Sequence, residues 1–198
     1  MAFELVVIGT SAGGLTALET LLSGLPADFP LPLVLVQHRS VDSGEMLGTL
    51  LRRHCLLPVR EPQDKEPMLP GRVYLAPPDY HLLVEAGGFA LSTDRPVRYA
   101  RPSIDVLFES AADAYGAGVI GIVLTGANSD GARGAERIKA RGGVVMVQEP
   151  TTAECPIMPR ATLDRVTVDR VASLEEIAAD LVRLCRRSAE AKASAITE

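Results

Sequence analysis

Four stretches of this 198-residue chain are apolar without alternation: Leu5-Val6-Val7-Ile8, Leu33-Val34-Leu35-Val36, Val119-Ile120-Gly121-Ile122-Val123-Leu124 and Val144-Val145-Met146-Val147. A strand with one wet face alternates apolar and polar side chains, so a continuous run belongs to a strand covered on both faces. Helix-patterned segments lie between the runs. Leu15, Leu18, Leu21 and Leu22 recur at helical spacing over 13–23, and Met46, Leu47, Leu50 and Leu51 do so over 43–53. Further helices are expected over 103–115 and 131–140. Ser173-Leu174-Glu175-Glu176 is a capping box that opens one more, ending near Arg186 and Arg187. This alternation predicts an α/β fold: a doubly wound, mostly parallel sheet with helices on both faces. Residues 81–84 and 89–91 flank Gly87-Gly88 and predict an antiparallel hairpin, as an edge or a flap on that sheet. Residues 150–160 read as a Pro-containing loop. The length predicts one domain over 1–187, followed by a polar, frayed tail over 188–198.

Composition narrows the function classes. A net charge of -5 argues against a general nucleic-acid binder, although Arg95, Arg98 and Arg101 form a small local basic patch. Cys55, Cys155 and Cys185 are odd in number and far apart, and no Cys/His spacing suggests a metal site. A reduced, cytoplasmic setting is expected, with no cofactor. No secretory signal is recognisable at the N-terminus, and no apolar run approaches the roughly 20 residues that a membrane span needs.

In doubly wound folds, ligands sit at the carboxyl ends of the strands. Three residues acquire meaning from that rule. The first apolar run ends in Gly9-Thr10-Ser11-Ala12-Gly13, a Gly-x-Ser-x-Gly turn before a helix, the context of a nucleophile elbow. The second run ends in Gln37-His38, and the third leads into Gly126-Ala127-Asn128-Ser129-Asp130-Gly131. A serine hydroxyl is a weak nucleophile that needs a base, and the base needs an acid to hold its tautomer. Ser11, His38 and Asp130 supply one of each. Their chain order differs from the Ser…Asp…His order of the α/β-hydrolases, so that family's triad does not come with the turn. Blander uses stay open from the pattern alone. The turn could bind phosphate, although it lacks Gly-x-Gly-x-x-Gly and Gly-Lys-Ser/Thr. His38 could be structural, like His54 and His81, and Asp130 could cap its own helix. Cys155 reads as a plain small residue.

Six segments in order resemble the catalytic domain of the chemotaxis protein-glutamate methylesterase (CheB) family. They are Ile8-Gly9-Thr10-Ser11-Ala12-Gly13-Gly14, Val36-Gln37-His38, Gly71-Arg72-Val73-Tyr74-Leu75-Ala76-Pro77, Arg101-Pro102-Ser103-Ile104-Asp105-Val106-Leu107-Phe108, Leu124-Thr125-Gly126 through Asp130-Gly131, and Met158-Pro159-Arg160-Ala161. The resemblance implies a doubly wound fold, with nucleophile, base and acid at Ser11, His38 and Asp130. It places oxyanion donors at the backbone of Ala12 and Ala127. It implies hydrolysis of glutamyl γ-methyl esters on the cytoplasmic helices of methyl-accepting chemoreceptors, releasing methanol, and deamidation of glutamines, without metal or cofactor. It also implies control by a receiver domain or a regulatory protein outside this chain, which reads as a standalone member or a fragment. Two departures stand out. Arg39-Ser40-Val41-Asp42 replaces the family's Met-Pro and aromatic after the base, and Ala127 replaces a Met. The altered rim motivates two other readings: a non-catalytic receptor-binding module of the same fold, and an esterase or amidase with another substrate.

Overall fold

The apolar runs all become strands of one sheet. The computed structural model describes residues 2–39 and 46–196, with side chains up to residue 186. β1 (Leu5–Thr10) lies at the centre of seven strands. On one side it pairs with β2 (Leu33–Gln37), followed by β4 (Val73–Leu75) and the two-residue β3 (Val59–Arg60). On the other it pairs with β7 (Val119–Val123), followed by β8 (Val144–Gln148) and β9 (Arg170–Ala172). Every pairing within the sheet is parallel.

Successive side chains of the inner strands feed two separate cores. Val6 and Ile8 of β1 point into a cluster with α1 (Gly14–Ser23), α2 (Met46–His54) and the long α6 (Leu174–Ile196), through Leu18, Leu21, Leu51 and Leu181. Leu5 and Val7 point the other way, toward α3 (Ile104–Tyr115), α4 (Ala132–Ala140) and α5 (Ile157–Arg165), through Leu107, Phe108, Ile138 and Met158. β1 is buried along its whole length, which is why its sequence shows no polar alternation. Each fully buried Leu, Val or Ile stabilises the fold by about 1.5–3 kcal/mol before chain entropy is subtracted. The doubly wound sheet with helices on both faces is therefore as expected.

The differences are local. β5 (His81–Glu85) and β6 (Gly88–Ser92) form the expected hairpin, but as a separate two-stranded sheet. It is a flap: Val84 N–H donates to Ser110 Oγ (3.1 Å) and Gly87 N–H to Tyr115 Oη (2.9 Å), both on α3. Phe89 rests on Tyr74 of β4 with ring centroids 4.6 Å apart. The segment read as loop over 150–160 runs into α5, where Pro159 sits in the first turn and a missing N–H costs no helical bond. The capping box forms as expected: Ser173 N–H donates to Glu176 Oε2 (2.9 Å) and Glu176 N–H to Ser173 Oγ (3.3 Å). The helix it opens continues past Arg186 and Arg187 to Ile196, through much of the segment expected to be a frayed tail. Residues 43–45 of the helix expected over 43–53, and Ser40, Val41 and Asp42, lie outside the described residues.

Candidate active site

β1 is the point where the winding of the sheet reverses. The chain leaves β1 for β2 on one side and later returns to β7 on the other, opening a crevice at the carboxyl ends of these strands. Ser11, His38 and Asp130 stand around that crevice.

Ser11 follows β1 directly. Its N–H donates to Thr125 O (2.9 Å), and its carbonyl accepts from Gly14 N–H (2.9 Å) and from Gln37 Nε2 (2.8 Å). The left-handed backbone that closes the turn is at Gly13 (φ 76°), not at the serine. This differs from a strained nucleophile elbow: Ser11 carries no positive φ, and the glycine absorbs the bend. Among the described residues the Ser11 hydroxyl makes no hydrogen bond.

His38 follows β2. Its N–H donates to Thr10 O (3.1 Å), extending the β1–β2 ladder by one rung. The Gln37 side chain donates to both Ser11 O and His38 O at 2.8 Å, so one amide ties the backbone of serine and histidine together. The imidazole Nε2 lies 2.8 Å from Asp130 Oδ2, with 13% of the histidine side chain exposed. Its Nδ1 faces Asn128 Nδ2 at 3.4 Å. Asn128 Oδ1 already accepts the Asp130 N–H (3.0 Å), which orients the amide with its NH2 toward the ring. A donor opposite Nδ1 and a carboxylate opposite Nε2 select one tautomer: Nε2 carries the proton and Nδ1 is the basic nitrogen.

Asp130 is completely buried. Oδ2 accepts Ile104 N–H (2.7 Å), while Oδ1 accepts Ser103 Oγ (3.0 Å), Asp105 N–H (3.0 Å) and Gly131 N–H (3.1 Å). Ile104 and Asp105 are the first residues of α3, so Asp130 sits on the N-terminus of that helix, where its amides favour an anion. The bland alternative, a cap on its own helix, falls to another residue. Asp105 Oδ1 accepts Gly131 N–H (3.0 Å) and Gly134 N–H (2.8 Å) at the start of α4. The two helices thus exchange carboxylates. Burial pushes the Asp130 carboxyl up, but the hydrogen bond from His38 and the Asp105 and Ile104 amides outweigh it and hold it below the ordinary aspartate range. Asp105 is raised, first by burial and further by the Asp130 charge, against the lowering effect of the Gly134 amide.

The backbone donors at Ala12 and Ala127 are set by the carbonyls of their own peptide units. In a trans peptide, C=O and N–H point in opposite directions. Ser11 C=O is pinned inward by two donors, which turns Ala12 N–H outward. Gly126 C=O is pinned by Met158 N–H (2.9 Å) from the first turn of α5, which turns Ala127 N–H outward in the same way. Both alanines are exposed, and among the described residues neither N–H has an acceptor. Thr125 Oγ1 braces the two turns: it donates to Ala12 O (2.8 Å) and accepts Cys155 N–H (2.9 Å).

A cleft of about 610 Å3 opens beside His38 and Asn128, bounded by Arg39, Arg98, Tyr99 and Arg101. Arg39 turns back to pair with Glu61 and donates to Ala76 O (3.0 Å). Arg101 pairs with Asp79 and donates to Thr93 O (2.9 Å) and Asp94 O (3.1 Å). The other candidates take structural roles. His54 is half exposed beside Glu19 (3.8 Å), and His81 is buried between Ser103 N–H and Arg95 O, both at 3.2 Å. Cys155 contributes its backbone. Among the described residues no group of His, Cys, Asp and Glu is placed to hold a metal ion, and no helix is long and apolar enough to cross a membrane. Gln37, Ser103, Asp105, Thr125 and Asn128 were not singled out by sequence as parts of the site, although each lies within or beside one of the six segments.

Fold and geometry define a class: α/β proteins with a histidine–aspartate pair and a serine-bearing turn gathered at the switch point of a parallel sheet, in a chain order different from the triad of the α/β-hydrolases. Within that class, the chain belongs to the CheB methylesterase family, which its residues 6–181 match. The catalytic domain of Thermotoga maritima CheB methylesterase superposes with a TM-score of 0.88 at 33% identity, covering 93% of this chain and 100% of that one. A relative from Leptospira interrogans, named as a candidate protein-glutamate methylesterase/protein-glutamine glutaminase, is 46% identical over 191 residues, covering 96% of this chain and 99% of the relative. Protein-glutamate methylesterase/protein-glutamine glutaminase 5 of Myxococcus xanthus is 43% identical over 93% of this chain, which spans 54% of that longer protein.

Proposed function

We propose that the chain is a protein-glutamate methylesterase, and a protein-glutamine glutaminase, acting on the cytoplasmic helices of methyl-accepting chemoreceptors. Ser11 is the nucleophile, His38 the general base and Asp130 the acid that orients it. The observation that carries this reading is the 2.8 Å contact between His38 Nε2 and Asp130 Oδ2, with the basic Nδ1 left on the side of the cleft.

The chemistry follows from these positions. Substrate binding brings Ser11 Oγ within reach of His38 Nδ1, displacing the long contact to Asn128. Nδ1 takes the hydroxyl proton as Oγ attacks the ester carbonyl carbon. Negative charge then develops on the carbonyl oxygen, and the outward N–H groups of Ala12 and Ala127 stabilise it. The imidazolium is held by Asp130, whose own affinity for protons is lowered by the α3 amides, so it remains an anion throughout. Nδ1–H returns the proton to the leaving oxygen, releasing methanol and a glutamyl ester of Ser11. His38 then activates water, which frees glutamate and serine. A glutamine substrate follows the same path with ammonia leaving. A receiver domain or regulatory protein would control access to the same cleft, and the cytoplasm is the compartment this partner implies.

Methanol release from methylated receptor tests the proposal. Ser11→Ala should reduce turnover on the order of a millionfold, as removal of a triad nucleophile does in comparable enzymes. Release that persists in the variant overturns the mechanism.

A further inference from the structure

The cleft beside His38 is bounded by a turn of unusual composition. Val97 and Ala100 exchange both backbone hydrogen bonds (3.1 and 2.9 Å), leaving Arg98 and Tyr99 as a two-residue loop. Both have left-handed backbones, with φ 49° and 66°. Tight loops with positive φ at both central positions favour Asn-Gly or Gly-Gly, because a Cβ is crowded there. Arginine and tyrosine are held in that conformation against their preference, and strain of this kind collects at functional sites.

The turn is braced. Arg98 reaches across to Ser129 Oγ and lies 3.9 Å from Asp105, and Arg101 is fixed by Asp79 and two carbonyls. What it presents is Tyr99, fully exposed at 103% of its reference area, at the mouth of the cleft that contains His38. A rigidly presented aromatic ring is a common anchor in protein recognition. The charge around it points to the partner: Arg39 and Arg101 are taken up by Glu61 and Asp79, whereas Arg98, 3.9 Å from Asp105, keeps 44% of its side chain exposed and is the cation offered beside the ring.

We propose that the Arg98–Tyr99 turn is a docking element that grips an acidic protein surface beside the scissile ester and takes no part in bond cleavage. This rests on the function proposed above, in which the ester sits among free glutamates. Tyr99 covers apolar side chains next to the ester, and Arg98 meets a neighbouring carboxylate. A small ester reaches Ser11 without touching either residue.

The test is the double variant Arg98→Asn/Tyr99→Gly, which installs the residues that this turn prefers and so preserves the loop. On methylated receptor, KM should rise about tenfold or more, the loss expected for an aromatic anchor, with kcat unchanged. Hydrolysis of p-nitrophenyl acetate should stay at the level of the unsubstituted chain. A KM within twofold of the unsubstituted value overturns the docking role, and so does a parallel loss on both substrates. If the unsubstituted chain cleaves p-nitrophenyl acetate through Ser11 yet leaves methylated receptor untouched, the proposed function fails, and the docking assignment to that partner fails with it. Receptor cleavage with an unmoved KM removes the docking assignment alone.

Discussion

Replacing Asp130 removes more than the partner of His38, because its two oxygens also accept two amides of α3, the Ser103 hydroxyl and its neighbour's N–H. Asp130→Asn keeps the shape but turns one acceptor into a donor, so either His38 Nε2–H or a buried N–H loses its bond. Turnover should fall about ten-thousandfold, the effect of a wrong tautomer, and the fold should lose about 1–3 kcal/mol by urea unfolding near neutral pH. The sign of the pH dependence follows from the lowered carboxyl. A group whose folded value lies below its unfolded value of about 3.9 stabilises the fold above that value and loses its contribution as pH falls through the folded one. The stability gap between the unsubstituted chain and Asp130→Asn should therefore shrink as urea unfolding is repeated below about pH 4. A gap that stays constant down to pH 2 would contradict the anionic assignment. At this scale the gathering of Ser11, His38 and Asp130 at the carboxyl ends of the strands was legible in the sequence, because each directly follows or closely trails an apolar run. The support for Asp130 was not, since its acceptors are filled from residues 25 and 26 positions away, on a different helix. Asn128 was invisible for the same reason: its effect depends on which amide atom faces His38.

At the scale of elements, the contact between β1 and α3 fixes where the acid can sit. A Cβ at Gly9 would lie 2.2 Å from Ile104 Cγ2, so the first residue of α3 rests on the strand that carries Ser11. Ile104 also donates its N–H to Asp130. Gly9→Ala should cost about 1–3 kcal/mol through overpacking, and should lower p-nitrophenyl acetate turnover even where the chain is fully folded, because α3 and Asp130 shift together. Adding Ile104→Ala should restore part of the turnover, the coupling expected of residues in contact. The long elements were legible from periodicity, and the capping box located the start of α6 to the residue. α5 and β9 were missed for opposite reasons. α5 begins among prolines with little amphipathic pattern, and the three residues of β9 become a strand only because β8 offers an edge to pair with.

Across the whole molecule, the two cores on either side of the sheet hold the fold, and the surface charges contribute little. Arg133–Glu109 and Arg137–Asp113 link α3 to α4, and Arg141–Asp113 ties α3 to the residue that follows α4, yet all are partly exposed, and pairs of this kind are worth about 0–1 kcal/mol each. The doubly wound architecture was legible because strands buried on both faces write themselves as unbroken apolar runs. The hairpin was legible as an edge or a flap, and the choice between them was not, since its docking depends on Ser110 and Tyr115 of a helix later in the chain. The reversal of winding at β1 has a kinetic consequence. Ser11 and His38 stand on neighbouring strands joined by a short crossover, whereas His38 and Asp130 meet across 92 residues of chain. Contacts of such separation close late, after local helices have formed. On dilution from urea, far-UV ellipticity should recover before Ser11-dependent ester turnover, and the interval between them times the zippering of β7 onto β1. Hydrolysis in this protein is thus a stopwatch for the closing of β7 onto β1, started by collapse and stopped by the first acyl transfer.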